Sequence, residues 1–345
     1  MDVGIVGAGI IGCAIADDLS RRGYRVEVFD ARRVGGGATQ ATAGVLAPFI
    51  EAPSAGTLQK LAVESLGMYD GFVAKAQSAS EWEIEYRRCG TFEVATSVEA
   101  EERLRAVADA ARNAQLTAQW HALEPGARQT RGTAAGGLLI AEQGYVRVEQ
   151  LLVALRRAAE RRGTVFHEEQ PILKTFTKRD HVVIETSTGA LSCGVVVIAA
   201  GSWSDVVGPE QPGIRPVRGQ LLRLRWKGEA LPHVMWSQDC YVVPWLDRTV
   251  LVGATVEEVG FDDRNTAKGV GQLIDAVQRL LPDAAEATFI EARAGLRPAS
   301  DSGLPVIRPS SNSTRVIYAT GHFRNGVLLA PLTARLVRGM VGAVS

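Results

Sequence analysis

Cysteine is scarce in this 345-residue chain, and its four copies stand far apart. Cys13, Cys89, Cys193 and Cys240 form no Cys-x-x-Cys pair and no metal-ligand spacing, so no metal site is expected. Cys13 falls on the first helix and reads as a small buried hydrophobe. Net charge is missing too. Lys plus Arg equal Asp plus Glu at 38 each, which leaves no global field to recruit nucleic acid or an anionic membrane. No apolar run reaches the roughly 18 residues of a membrane span, and the chain opens on a strand without a basic leader. The expectation is no transmembrane segment and a cytoplasmic location. Internal repeats and low-complexity linkers are also absent. Hydrophobic residues at 46% and charged ones at 22% are ordinary for a soluble globular protein, and the length suits about two domains.

What is present is concentrated at the start. Val3 to Asp30 run through an apolar stretch, Gly7-x-Gly9-x-x-Gly12, an amphipathic stretch, a second apolar run and an acid. That order predicts a βαβ unit with a dinucleotide-binding turn. Gly7 permits the tight turn, Gly9 admits a pyrophosphate to the backbone, and Gly12 lets helix and strand approach closely. The helix N-terminus then offers its N–H groups and dipole to the phosphates. Asp30 stands where a carboxylate accepts hydrogen bonds from a ribose 2′-OH, which favours FAD or NAD over NADP.

Further along, the pattern predicts helices over 57–76, 99–115, 148–162, 268–281 and 332–341. Strands are expected over 91–95, 136–141 and 164–169, and a hairpin pairs 182–186 with 191–193 around Thr188-Gly189. Val195 to Gly201 and Val316 to Gly321 are continuous apolar runs ending in glycine, as in the centre of a parallel sheet. Beyond Pro212, alternating strands appear at 220–226, 240–244 and 249–254. The fold class expected is α/β: a discontinuous Rossmann-like FAD-binding domain (1–84, 145–213 and 294–345) with a second, β-rich α+β substrate domain (85–144 and 214–293). The interrupted layout favours FAD over NAD.

Seven segments carry a resemblance to a known family: the opening βαβ unit, GGGATQATAGVLAP (35–48), VVIAAGSWS (196–204), PVRGQLL (216–222), YVVP (241–244), AGLRP (294–298) and GHFRNGVLLAP (321–331). In this order, across essentially the whole chain, they resemble the D-amino-acid oxidase family of flavoproteins. The last segment is similar to its glycine oxidase branch, which is associated with thiamine biosynthesis. The resemblance implies that Gly7, Gly9, Ile10, Ile11, Gly12, Asp30 and Ala31 hold the ADP half of FAD. Ala38, Thr39, Ala43, Gly44 and Val45 would line the pyrophosphate and flavin, with Gly201 beside them and Ile172 near the adenine. His322, Phe323, Arg324, Asn325, Gly326, Val327 and Leu328 would wrap the isoalloxazine. No residue matches the cysteine that tethers flavin in the sarcosine oxidase relatives, so FAD should be non-covalent.

On the substrate side, a planar guanidinium pins a carboxylate bidentately. Arg297 matches the family's carboxylate-binding arginine and Tyr241 its phenol partner, while Arg324 supplies a further polar contact. No catalytic side-chain base is required. The chemistry implied is hydride transfer from the α-carbon of glycine, sarcosine or a small D-amino acid to flavin N5, giving the 2-oxo acid, ammonia or an amine and H2O2, with O2 as acceptor. A dehydrogenase passing electrons to a quinone or carrier is the enzymatic alternative, and a non-catalytic flavin-binding module the other; a homo-oligomer is compatible with all. Three positions besides Asp30 (which replaces the commoner glutamate) depart from the pattern. Arg293 stands where an aromatic is usual, Arg147 where an acid or amide is common, and Arg308 where glycine is frequent. Asp239 and Val256 bear on the cavity near Tyr241.

Overall fold

The computed structural model describes residues 1–51, 56–122 and 136–344. The parts of the expected segments 1–84 and 85–144 at 52–55 and 123–135 lie outside the described residues.

The apolar runs at each end of the chain and at its middle meet in one six-stranded sheet. Its order is Val306–Ser310, Ser313–Thr320, Val195–Ile198, Val3–Val6, Val26–Phe29, Val165–His167. The four central strands and the Val165–His167 edge run parallel, and only Val306–Ser310 is antiparallel. Val3–Val6 and Val195–Ile198 are buried along their whole length, as expected of strands covered on both faces. One face packs against the helices Ile10–Ser20, Thr57–Ser80, Val148–Glu160 and Gly326–Val344, through Ile11, Ile15, Leu66, Leu155, Leu329 and Val337 among others. The opposite face is covered by a three-stranded antiparallel sheet, Ile172–Thr177, Val182–Thr186 and Gly189–Cys193. Its hairpin is legible in the sequence; the preceding strand, Ile172–Thr177, is not, because Leu173 and Lys174 interrupt its alternation.

The second body is an eight-stranded sheet. Its order is Thr288–Ser300, Ile214–Arg225, Thr249–Gly253, Tyr241–Pro244, Val234–Trp236, Thr91–Ala95, Gly136–Ile140, Ala118–Ala122. Alternation sorts its two faces. Leu222, Leu224, Val242, Val250 and Val252 pack on Leu273, Val277 and Leu280 of the helix Ala267–Leu280. Leu221, Tyr241, Val243 and Leu251 face the other way, joining Ala43 and Tyr145 beside the nucleotide-binding body. This second face of the sheet is therefore turned toward the dinucleotide fold.

Two differences from the sequence reading matter for the site. Thr288–Ser300 is one unbroken strand paired with Ile214–Arg225 from Ile214↔Ser300 to Arg225↔Thr288, so the boundary expected at 294 falls inside it. The closing helix begins at Gly326 rather than Leu332 and runs to Val344 despite Pro331. It is also the one helix among the described residues with the length and hydropathy of a membrane span, at a mean of 1.5. Arg335 and Arg338 hide that run in the sequence. Its Val327, Leu328, Leu329, Leu332, Val337 and Val341 are packed in the core of the nucleotide-binding body.

Candidate active site

The glycine turn forms as its spacing requires. Gly9 caps the helix Ile10–Ser20 without a side chain, and a Cβ on Gly12 would collide with the Gly7 carbonyl oxygen. Gly12 thus serves helix–strand packing and does not itself reach the cleft wall. The Ile10 N–H donates to Thr39 Oγ1 at 3.1 Å, which draws the 38–41 turn against the helix N-terminus. At the end of Val26–Phe29, Asp30 accepts backbone N–H bonds from Ala8 (2.7 Å) and Arg32 (2.8 Å). Burial pushes its carboxyl up, and those two bonds oppose the shift.

These residues open onto one cleft that is continuous with solvent, about 1760 Å³ with open solvent included. The expected contacts Gly7, Gly9, Ile10, Ile11, Asp30, Ala31, Ala38, Thr39, Ala43, Gly44, Val45, Ile172 and Gly201 all line it. So do His322, Phe323, Arg324, Gly326 and Val327, and with them Tyr241 and Arg297. Gly12, Asn325 and Leu328 stand behind the wall. Asn325 is buried and its N–H donates to the His322 carbonyl; the Leu328 carbonyl accepts from Ser65. A Cβ on Gly37 or Gly201 would meet no atom within 4 Å, so bare backbone borders the empty space there. A glycine-bordered cleft, a helix N-terminus and a carboxylate at the end of the second strand of a βαβ unit fit a dinucleotide such as FAD. No cysteine lines the cleft among the described residues.

The far wall comes from the strand Thr288–Ser300 and the 321–325 turn. The Phe323 N–H donates to the Pro298 carbonyl at 2.8 Å, and Ala299 bridges His322, so turn and strand are fastened together. Phe323 adopts φ +49°, a left-handed conformation that a bulky residue takes only when its neighbours impose it. Leu296, Arg297 and Pro298 face the cleft from this strand. The Arg297 Nη1 donates to the Thr255 carbonyl at 2.9 Å and more weakly to the Arg218 carbonyl at 3.4 Å. Tyr241 stacks on Trp236 with ring centroids 4.7 Å apart, and the Arg324 guanidinium lies over the same indole at 5.8 Å. His322 is fully buried with Nε2 3.0 Å from Thr333 Oγ1, and burial drives its pKa down to about 3.

Trp236 escaped the sequence reading. It ends a three-residue strand, Val234–Trp236, too short to show a period, yet it carries both Tyr241 and Arg324. Its signal was a lone aromatic just ahead of the YVVP segment. Thr255 was missed because it stands just past the strand Thr249–Gly253, in no periodic run.

Arg293, Arg147 and Arg308 fall around the cleft rather than in it, and of the departures Asp30 alone lines it. Arg293 pairs with Glu149 and Glu291 and donates to the Gln40 carbonyl, tying the 38–41 turn to the large sheet. Arg147 lies 4.2 Å over Trp245 and pairs with Asp247 and Glu85. Arg308 pairs with Glu210 at 2.6 Å. Asp239 and Val256 line a second cavity that shares Tyr241 and Arg324 with the first, and Asp239 pairs there with Arg279 at 3.2 Å. Among the described residues no cluster of three or more His, Cys, Asp or Glu side chains is arranged to hold a metal.

Comparison with known proteins agrees with this geometry. The family model described as "DAO: FAD dependent oxidoreductase" matches residues 2–340. The chain is 30% identical to a glycine oxidase of Geobacillus kaustophilus over 99% of its own length and 92% of the relative's. It is 32% identical to a bifunctional ThiO/ThiG protein of a Nostoc species, again over 99% of its length but 52% of that longer protein. The crystal structure of glycine oxidase from Geobacillus kaustophilus superposes with a TM-score of 0.94, covering 99% of this chain and 94% of that one. That of iminodiacetate oxidase from Chelativorans sp. BNC1 superposes with a TM-score of 0.86 at 26% identity, covering 99% and 95%.

Proposed function

The chain belongs to the DAO family of FAD-dependent oxidoreductases and is an FAD-dependent amino-acid or amine oxidoreductase, and from that premise we propose that it oxidises glycine or a comparably small amine, sarcosine or a small D-amino acid, with O2 as electron acceptor. One observation carries the reading. The Arg297 guanidinium lines the cofactor cleft, oriented by backbone carbonyls, with Tyr241 and Arg324 in the same wall. A guanidinium so held supports bidentate capture of a substrate carboxylate.

FAD, when bound, supplies the two-electron acceptor. The protein's part is position. Arg297 and Tyr241 take the carboxylate, which turns the α-carbon toward the His322–Val327 turn and prepays the orientation entropy. Arg324 is kept in place by Trp236. His322 supplies no proton at working pH, being neutral and tied to Thr333. The one carboxylate in the cleft wall among the described residues is Asp30, at the ribose end, so the amine sheds its proton to solvent before it reacts. The imine that departs hydrolyses in water to the 2-oxo acid and ammonia or an amine.

An anaerobic panel of glycine, sarcosine and D-alanine followed by flavin absorbance tests the substrate class, and admission of air with a peroxide assay tests the acceptor. Bleaching by glycine with peroxide on aeration is the expected result. Bleaching without peroxide points to the dehydrogenase, and failure of every amine to bleach the flavin overturns the reading.

A further inference from the structure

Two backbone segments, 218–220 and the stretch at Thr255, border the Arg297 guanidinium, and one side chain outside the cleft wall is bonded to three of their residues. Glu257 Oε1 accepts from Thr255 Oγ1 at 2.6 Å and from Gln220 Nε2 at 2.8 Å; Oε2 accepts from Arg218 Nη2 at 2.7 Å. Thr255 supplies the carbonyl that Arg297 grips at 2.9 Å. Arg218 supplies the second carbonyl, and Arg218 and Gln220 flank Gly219, across which the guanidinium lies. The backbones are locked as well: Arg218 and Glu257 exchange N–H···O bonds of 2.9 and 3.0 Å, and Thr255 donates to the Gln220 carbonyl at 3.2 Å.

These donors are themselves held. Gln220 is fully buried, and its amide also bonds Thr266, the cap of the helix Ala267–Leu280, through Nε2 to Oγ1 at 3.1 Å and Oε1 from the backbone N–H at 2.8 Å. Arg218, 4% exposed, pairs with Asp262 at 3.0 Å on its other side. Burial raises the Glu257 pKa, but the bonds from Arg218, Thr255 and Gln220 outweigh it and hold the group down at about 2. The carboxylate is thus ionised whenever the protein works, and its acceptor capacity is filled by groups that each fix one side of the guanidinium cradle.

We propose that Glu257 is a positioning residue for Arg297: by tying Thr255, Gln220 and Arg218 into one cradle it sets the direction of the carboxylate-binding guanidinium. The inference rests on the assignment of Arg297 to the substrate carboxylate. It separates from a merely structural role because it acts on carboxylate binding and leaves flavin binding alone.

The test uses the FAD-loaded protein and acetate, a carboxylate with no amine to oxidise, with its Kd read from the perturbation of flavin absorbance. In Glu257→Gln the acetate Kd and the KM for glycine rise about tenfold together, kcat stays within about twofold, and the flavin content is unchanged. In an Arg297→Lys background Glu257→Gln adds less than about twofold, since its effect passes through that guanidinium. A yellow, folded Glu257→Gln protein with wild-type acetate affinity overturns the proposal, as does full additivity with Arg297→Lys. Should Glu257→Gln not fold, Thr255→Val decides: it deletes the hydroxyl link and keeps the carbonyl, and a Kd at least about threefold higher supports the proposal while an unchanged one overturns it. If Arg297→Lys itself leaves acetate binding untouched, the carboxylate assignment beneath is what fails, and the positioning role goes with it.

Discussion

The Arg297 guanidinium lies across the backbone of Gly219, so close that a Cβ there would collide with its Cζ and both terminal nitrogens. The missing side chain is the floor of the proposed carboxylate site. Gly219→Ala therefore pushes the guanidinium aside while leaving the nucleotide end of the cleft intact. The expected outcome is a KM for the amine substrate at least about tenfold higher with full flavin content, and a loss of about 1–3 kcal/mol in stability from the overpacked strand pair. Steady-state kinetics and a urea titration check both, and an unchanged KM removes Gly219 from the site.

Arg297→Ala removes the guanidinium outright. A charge-assisted pair is worth about 1.5–3 kcal/mol, which predicts a KM at least about tenfold higher. Arg297→Lys keeps the charge and loses the fork, so it recovers part of the loss and not all of it. Equal KM values for wild type, Ala and Lys would assign the carboxylate to another group.

The nucleotide turn tests separately. A Cβ on Gly12 would meet the Gly7 carbonyl oxygen, backbone against backbone, and neither can step aside cheaply. Gly12→Ala is expected to emerge from gel filtration largely without flavin, and the apoprotein to unfold about 1–3 kcal/mol more easily. Gly71, in the helix Thr57–Ser80, has nothing within 4 Å of a built Cβ, so Gly71→Ala stabilises by about 0.5–1 kcal/mol through helix propensity alone. A flavin-replete Gly12→Ala protein would show that the helix does not pack as described.

The nucleotide half was readable because its physics is local. Gly7, Gly9, Gly12 and Asp30 sit within one βαβ unit, and the buried runs at 195–198 and 316–320 declare a parallel sheet without outside help. Arg297, Tyr241 and Arg324 were found through the segments that contain them, and they do line one cleft. What the sequence concealed is what brings those three together. Thr255 meets Arg297 from 42 positions away, and Trp236 reaches Arg324 from a strand of three residues. Pairings at that sequence separation leave no period and no motif; they follow from sheet register. The full extent of Thr288–Ser300 was hidden likewise, since Arg293, Arg297 and Pro298 interrupt its apolar pattern while the strand they pair with, Ile214–Arg225, lies about 70 to 85 positions earlier.

His322 gives the fold a pH window of its own. Its ring is fully buried, and burial drives its pKa from an ordinary value of 6.5 to about 3. In the unfolded chain the same imidazole takes up a proton as pH falls below 6.5, while the folded protein does not, so the unfolded state binds more protons and stability falls with pH. Between pH 7 and pH 5 the loss from this one group is about 2 kcal/mol. The carboxylates held at about 2, Glu210 by Arg308 and Ser310 and Glu257 against its burial by Arg218, Thr255 and Gln220, have folded pKa values below their ordinary 4.5. Their contribution is complete above 4.5 and is lost only as pH drops toward 2, outside the histidine window. His322→Asn removes the titrating ring, so urea midpoints of the FAD-loaded variant should be nearly flat from pH 7 to pH 5 where those of the wild type decline. Parallel declines in the two proteins would mean that the ring gains its proton inside the fold, and that Thr333 and its apolar surroundings do not keep it neutral.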